Sequence, residues 1–528
     1  MTYLADLPRV LRKEITLGRK QSDLDEDIIQ PSVSPGKVAY IPEEALKPTE
    51  ETKSYWPIFT AGAGLFSDGY VNNSVGTATT CLKRIYGTEA FTKSDAMNNV
   101  SSIAFVGTVV GQLSFGVFSD YVSRKAGMLI SSAGLIFFAI LSAGSWGVGT
   151  EAKYGGNPGG LFSALTCYRF FLGIFIGAEY PTGSAACAEA SALLPAGHRN
   201  RWFAWFTNFM IDFGYVVSAF VPMVCLWIFK PGNLQPVWRI TLGLGAIPPL
   251  SLFFLRLKFK ENKQFQRTNF RHVRVPWLLV LKYYWFRLLI VMVIWWIYDF
   301  SAYAFGIYSS TIFDIIIPDG DLYKTFGWNV VFNLFYIPGA FLGAIVADYL
   351  GPRLTLVIGV FCQAIIGFAM AGSLSTLKQH IAGFVVVYGI FMTFGEFGPG
   401  DQIGLLASKT CATPVRGVYY SIAAAFGKIG AFCGTWAFPS FQANYSGDMG
   451  LKAPFYLASA LAIVAGLLAL FLLPPVDQEA MQREDVNFLR YLQENGFDIT
   501  QLGGGQLGEV IKSFETVHEE MDSPKVSE

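Results

Sequence analysis

The sequence predicts an all-α integral membrane protein: twelve transmembrane helices in two six-helix bundles, with both termini on the cytoplasmic side. Three observations carry this. The 528 residues are 52% hydrophobic and only 15% charged, with a mean hydropathy of +0.40, too apolar for a soluble chain of this size. Apolar windows near twenty residues, the length that crosses a bilayer as a helix, recur in two sets of six. Between the sets lies one strongly basic stretch.

Residues 1–54 are polar, charged and Pro-containing, without the short apolar core of a cleavable signal, so they read as a cytoplasmic tail with an acidic patch, "SDLDEDI". Residues 55–257 hold the first six windows, at 56–76, 98–118, 127–148, 160–180, 202–229 and 237–257. The linker 258–284 carries Lys258, Lys260, Lys263, Arg267, Arg271, Arg274 and Lys282, which places it in the cytoplasm by the positive-inside rule. Residues 285–475 supply windows at 285–312, 326–347, 354–373, 382–406, 417–438 and 454–473, and an even span count returns the 476–528 tail to the cytoplasm. That tail is expected to be solvated or partly helical. The 54 glycines suit close helix packing in lipid.

Composition also narrows function. Positive and negative residues balance at 39 each, which gives no electrostatic footprint for a nucleic-acid partner. Seven scattered cysteines and four histidines lack metal-ligand spacing, so free buried thiols and no metal are expected. No Ser/His/Asp set, phosphate loop or sizeable soluble domain points to an enzyme. The expected partners are the lipid bilayer and a small-molecule substrate.

The halves echo one another. "GVFSDYVSRK" (Gly116 to Lys125) follows the second window and "GAIVADYLGPR" (Gly343 to Arg353) the eighth, a repeat at the scale of half the chain that marks many transporters. Ionisable residues inside spans, each costing at least about 2.5–3.5 kcal/mol at mid-membrane, need a reason. They are Asp68, Arg169, Glu179, Asp212, Asp299, Glu396, Asp401 and Lys428. Arg169, Gly173 and Gly177, four apart, form a small-residue stripe for tight packing. Glu189, Arg199 and Arg201 fall near the inner surface as solvated or gate-locking charges. Asp68, Glu179, Asp299 and Lys428 interrupt their spans well away from the ends. Three acids against one base leave net negative charge if all are ionised, so at least one carboxyl is expected to carry a proton; a static pair of Lys428 with one acid is the plainer alternative. Trp295, Asp299 and Tyr303, four apart, share one helix face.

The loop "GVFSDYVSRK" resembles the cytoplasmic signature of the major facilitator superfamily. "SDGY", "GAEYPTG", "EFGPG" and "AFGKIGA" together resemble its proton-coupled phosphate symporters, and more closely the fungal glycerophosphoinositol and glycerophosphocholine permeases, over roughly residues 55–475. The resemblance implies that Asp120, Arg124 and Arg353 close the inner side; Arg169, read from its position as a paired or gating charge, and Glu189, as a solvated or gate-locking one, are further gating candidates. It implies proton handling by Asp68, Glu179 and Asp299, and a substrate site of Tyr180, Asn208, Trp295, Asp299, Tyr303 and Lys428. Against the phosphate symporters, a fifth-span glutamine falls near Ile211, a tenth-span asparagine becomes Gly400, and a third-span carboxylate becomes Ser131. The first two losses imply a wider pocket, and the third weakens any proton relay through that branch.

Taken together, these features predict a symporter at the plasma membrane, functional as a monomer and using protons rather than a cofactor, that imports glycerophosphodiesters by alternating access. The head group stays open. Trp295, Trp296, Tyr298, Tyr303 and Tyr215 suit choline, whereas Asn208, Asn329, Asn333 and Gln402 suit inositol. An inorganic phosphate:proton symporter and a transport-inactive nutrient sensor are the rival readings.

Overall fold

The computed structural model of the protein describes residues 54–87, 96–147, 159–195, 197–317, 320–445 and 447–512. The acidic patch of the N-terminal tail lies outside them. Among the described residues there are helices and no strands. Nine helical stretches among the described residues are long and apolar enough to cross a membrane. We label the principal helices α1 (Phe66–Tyr86), α2 (Ala96–Tyr121), α3 (Arg124–Ala143), α4 (Gly159–Ser191), α5 (Arg199–Phe229) and α6 (Gln235–Arg256). They continue as α7 (Trp277–Ile316), α8 (Leu322–Leu377), α9 (Ile381–Lys409), α10 (Arg416–Asn444), α11 (Met449–Leu472) and α12 (Ala480–Glu494).

Two features explain how nine stretches relate to the predicted windows. A straight helix the length of α8, 56 residues, would reach roughly 84 Å, far beyond a bilayer. It breaks at Gly351 (φ +77°), a left-handed conformation that glycine adopts readily, followed by Pro352. The break falls between the predicted eighth and ninth windows. Helix α10 spans the eleventh window, whereas α1 starts ten residues into the first, after a separate helix Trp56–Gly62, and runs ten past its end; neither is among the nine, and α1 buries Asn72, Asn73, Ser74, Thr77, Thr79 and Thr80 as well as Asp68.

Packing follows small residues. Gly69 of α1 faces the backbone of Ile211, and a Cβ on Gly214 of α5 would come within 2.7 Å of Tyr70 N, so these helices touch backbone to backbone. Gly173 and Gly177 of α4 lie in the same way against Ala104 and Thr108 of α2. Helix α10 packs on α7 within its own half and on α2 across the molecule. The half-to-half seam therefore runs along α10.

The linker side differs from expectation in two places. Helix α7 begins at Trp277, eight residues before the predicted window, and a short helix, Lys263–Thr268, folds within the linker, N-capped by Asn262. The C-terminal tail is not simply solvated. Helix α12 turns Met481, Phe488, Leu489 and Leu492 inward, a spacing of seven, one and three that makes one apolar face. Phe488 and Leu489 join Tyr284, Cys411 and Tyr419 in a second core.

Candidate functional site

A cavity with about 490 Å³ of empty space, its open mouth included, lies between the halves. Tyr180, Asn208 and Asp212 line it from one half; Trp295, Asp299, Tyr303, Glu396 and Lys428 line it from the other. The four-residue spacing on α7 puts Trp295, Asp299 and Tyr303 on one face, toward Lys428 of α10.

Lys428 is the centre of the first group. Its ammonium lies 3.4 Å from Asp299 Oδ2 and 3.4 Å from Asp68 Oδ2, with all three side chains at most 2% exposed. It contacts the Tyr303 hydroxyl and sits 3.8 Å from the Tyr303 ring centroid and 5.0 Å from that of Tyr180. Asp68 is held by several donors. Asn72 donates to Oδ1 at 2.5 Å, Tyr303 to Oδ2 at 2.8 Å, and the Tyr180 hydroxyl to the same oxygen. Six residues from α1, α4, α7 and α10 thus form one contact network across the seam.

Glu179 is elsewhere. It lies outside the cavity, buried, with Arg256 donating to both carboxylate oxygens at 2.6 and 2.7 Å and Ser131 donating to Oε1 at 2.5 Å. The guanidinium also reaches Ser132 Oγ at 2.8 Å and Met128 O at 3.1 Å. Sequence reasoning passed over Arg256 because it ends the sixth apolar window, where an arginine normally marks the interface.

A second acidic group lines the cavity beside the first. The Asn208 amide donates to Glu396 Oε2 at 3.0 Å, Asp401 Oδ1 at 3.2 Å and Asp212 Oδ2 at 3.5 Å, and the Tyr298 hydroxyl donates to Glu396 at 2.9 Å. Gly400, between Glu396 and Asp401, leaves open the space that a side chain would take: a Cβ there would come within 2.8 Å of the Tyr298 hydroxyl and 3.1 Å of Asn208 Nδ2. Asn329, Asn333 and Gln402 do not line the cavity. Asn329 accepts from Ser309 at 2.7 Å, Asn333 accepts from Asn73 at 3.0 Å, and Gln402 donates to Gly343 O at 3.1 Å.

On the linker side, charged groups join the halves. Arg124 pairs with Glu189 and lies 3.5 Å from Asp120; Arg416, from the other half, donates to Glu189 at 3.1 Å. Asp120 accepts from Gly417 N at 3.0 Å and Val418 N at 2.8 Å, so the repeat's aspartate caps the start of α10. Its counterpart Asp348 pairs with Arg201 and accepts from Asn200 N at 3.1 Å. Arg416 and Asp348 were not read from sequence as gate members; each reaches a partner more than a hundred residues away. Arg353 instead donates to Leu473 O at 2.9 Å, within its own half, and Arg169 donates to Val100 O at 2.7 Å and Val71 O at 3.3 Å, fastening α4 to its neighbours. At the opposite end Arg84 pairs with Asp314 at 2.6 Å and Thr80 meets Ser310 at 3.2 Å. Both ends of the cavity are thus bridged between halves.

Two helical halves around a central charged cavity, with contacts between the halves at either end, define a membrane carrier of the major facilitator class. The chain belongs to the sugar (and other) transporter family, whose model matches residues 57–274 and 266–483. It is 56% identical to the glycerophosphocholine permease GIT4 of Candida albicans, over 93% of this chain and 90% of that protein. It is 54% identical to the major glycerophosphoinositol permease GIT3 of the same organism, over 96% and 94%. A structure of the proton:xylose symporter XylE aligns with a TM-score of 0.67 at 15% identity, covering 82% of this chain and 98% of that one, a likeness of fold.

Proposed function

We propose that the protein is a proton-coupled symporter that imports glycerophosphodiesters, glycerophosphocholine and/or glycerophosphoinositol, across the plasma membrane. It works as a monomer with twelve spans and both termini cytoplasmic. The observation that carries the reading is Lys428 buried between Asp68 and Asp299. A lone ammonium held by two carboxylates has one acid in excess, so the site accommodates a proton without losing its ion pair. A phosphodiester brings one negative charge. With a proton on Asp299, the ammonium is free to face that phosphate, supported by the hydroxyls of Tyr180 and Tyr303.

Asp68 is the fixed acid in this scheme, tied by Asn72, Tyr180 and Tyr303 as well as Lys428. Asp299 is the exchangeable one. Alternating access follows when the Arg124–Glu189–Arg416 contacts and the Arg84–Asp314 contact break in turn. A proton entering down the membrane potential supplies about 2.3 kcal/mol per 100 mV. The test is uptake into sealed proteoliposomes given a pH step: Asp299→Asn and Lys428→Ala are expected to abolish concentrative uptake. Normal accumulation in either variant would remove the mechanism. Uptake of free phosphate with exclusion of the diesters would favour the inorganic phosphate reading.

A further inference from the structure

The mechanism above uses Lys428, Asp68 and Asp299, and leaves Asp212, Glu396 and Asp401 without a task. These three carboxylates are at most 1% exposed, and all three line the cavity. The Asn208 amide and the Tyr298 hydroxyl offer them three hydrogens for six oxygens, and Asp212 Oδ1 and Asp401 Oδ2 remain buried with no hydrogen-bond partner. The nearby ammonium is already engaged by the other two acids. Among the described residues no group of acids, histidines or cysteines has the arrangement of a metal site.

We propose that Asp212, Glu396 and Asp401, with the Tyr298 ring beside them, form a subsite for a cationic head group, which makes the cargo a zwitterionic glycerophosphodiester of the glycerophosphocholine type. The inference rests on the phosphodiester reading above and adds the head group to it. Lys428, paired with Asp299 of α7, takes the phosphate; the three acids come from α5 and α9 and meet Tyr298, the residue that precedes Asp299 on α7. A quaternary ammonium carries no N–H and needs surrounding negative charge and aromatic faces rather than directed acceptors, which suits buried carboxylates next to tyrosines. A polyol head group would need donors as well as acceptors, and of the four amides suited to that role only Asn208 lines the cavity. Gly400 provides the room, since any side chain there meets Tyr298 and Asn208.

The test needs no variant to begin. Wild-type protein in proteoliposomes is given glycerophosphocholine, glycerophosphoinositol and the 3,3-dimethylbutyl ester of glycerophosphate, in which carbon replaces the charged nitrogen. Glycerophosphocholine is expected to have a KM at least tenfold below that of the neutral isostere. Glu396→Gln and Gly400→Asn are expected to raise the KM ratio of glycerophosphocholine to glycerophosphoinositol at least tenfold, and Glu396→Asp to restore it in part. Equal handling of the charged and neutral esters by the wild type overturns the proposal, as does a ratio within twofold of wild type in variants that still transport. Transport of neither diester would instead overturn the phosphodiester reading itself.

Discussion

Neutralising Glu179 discriminates between a proton carrier and a structural ion pair. In the structure Glu179 and Arg256 form a two-pronged pair at 2.6 and 2.7 Å with neither group more than 2% exposed. Removing one partner of such a pair leaves an uncompensated buried charge and costs about 3–5 kcal/mol. Glu179→Gln keeps the shape and the Ser131 contact, and Arg256 keeps neutral acceptors at Ser132 and Met128, so the lower end, about 3 kcal/mol, is expected. That is roughly a hundredfold in the folded-to-unfolded ratio. Arg256→Met alone strands the carboxylate at similar cost, whereas the double variant removes both charges and recovers most of the loss. The assay is reversible unfolding in mixed micelles across the four-protein cycle, with a coupling energy of about 5 kcal/mol expected, close to the two single losses taken together. A Glu179→Gln protein within about 0.5 kcal/mol of wild type, yet unable to couple uptake to protons, would refute the structural reading and return Glu179 to the proton path.

Three further outcomes follow from other contacts. Asp485 on α12 accepts from Thr413 N at 2.6 Å and Oγ1 at 2.8 Å, and burial, opposed by nearby Arg416, pushes its carboxyl up to about 6. Because the folded value lies above the ordinary one, docking of α12 favours the protonated form. That contribution is full below about pH 3.9 and lost as pH rises through about 6. Hydrogen exchange over 480–494, corrected for intrinsic rates, should show more protection near pH 5 than near pH 7.5, and Asp485→Asn should flatten the difference; equal protection in wild type would contradict it. Glu189→Gln releases Arg124 and Arg416 from their shared carboxylate, so maleimide labelling of buried Cys411 should rise about tenfold for each 1.4 kcal/mol lost from the closed linker side; unchanged labelling would show the pair is not a gate. Gly76 lies against the Ile307 carbonyl at the outer contact, so Gly76→Val should wedge that end open and slow uptake at unchanged expression; wild-type rates would exclude a tight outer contact.

Long apolar helices were legible in the sequence because burial in lipid requires long apolar windows, but their ends were not: α1 runs ten residues past its window and α7 starts eight before its own. The packed face of α12 was not read, since a helix that docks by one apolar stripe stays hydrophilic on average. At the centre, the four-residue spacing of Trp295, Asp299 and Tyr303 was readable because one helix carries it. The separation of Glu179 from the cavity was not, because its partner Arg256 lies 77 positions away on another helix. The acidic group at Asp212, Glu396 and Asp401 appeared only as isolated charges, brought together by folding from α5 and α9.

Re-assigning Glu179 changes the charge balance that motivated proton coupling. With Arg256 as its partner, Glu179 leaves the count, and the Lys428 group holds two acids against one base rather than three. In the proposed mechanism a single excess acid is the minimum for one exchangeable proton, which then belongs to the Asp68–Lys428–Asp299 group. The Asp212, Glu396 and Asp401 group has three acids and no bound base, so by the same reasoning it holds protons until a cation enters beside it. On the proposed head-group subsite, a zwitterion finds a partner for each of its charges, whereas a free phosphate uses only the Lys428 group.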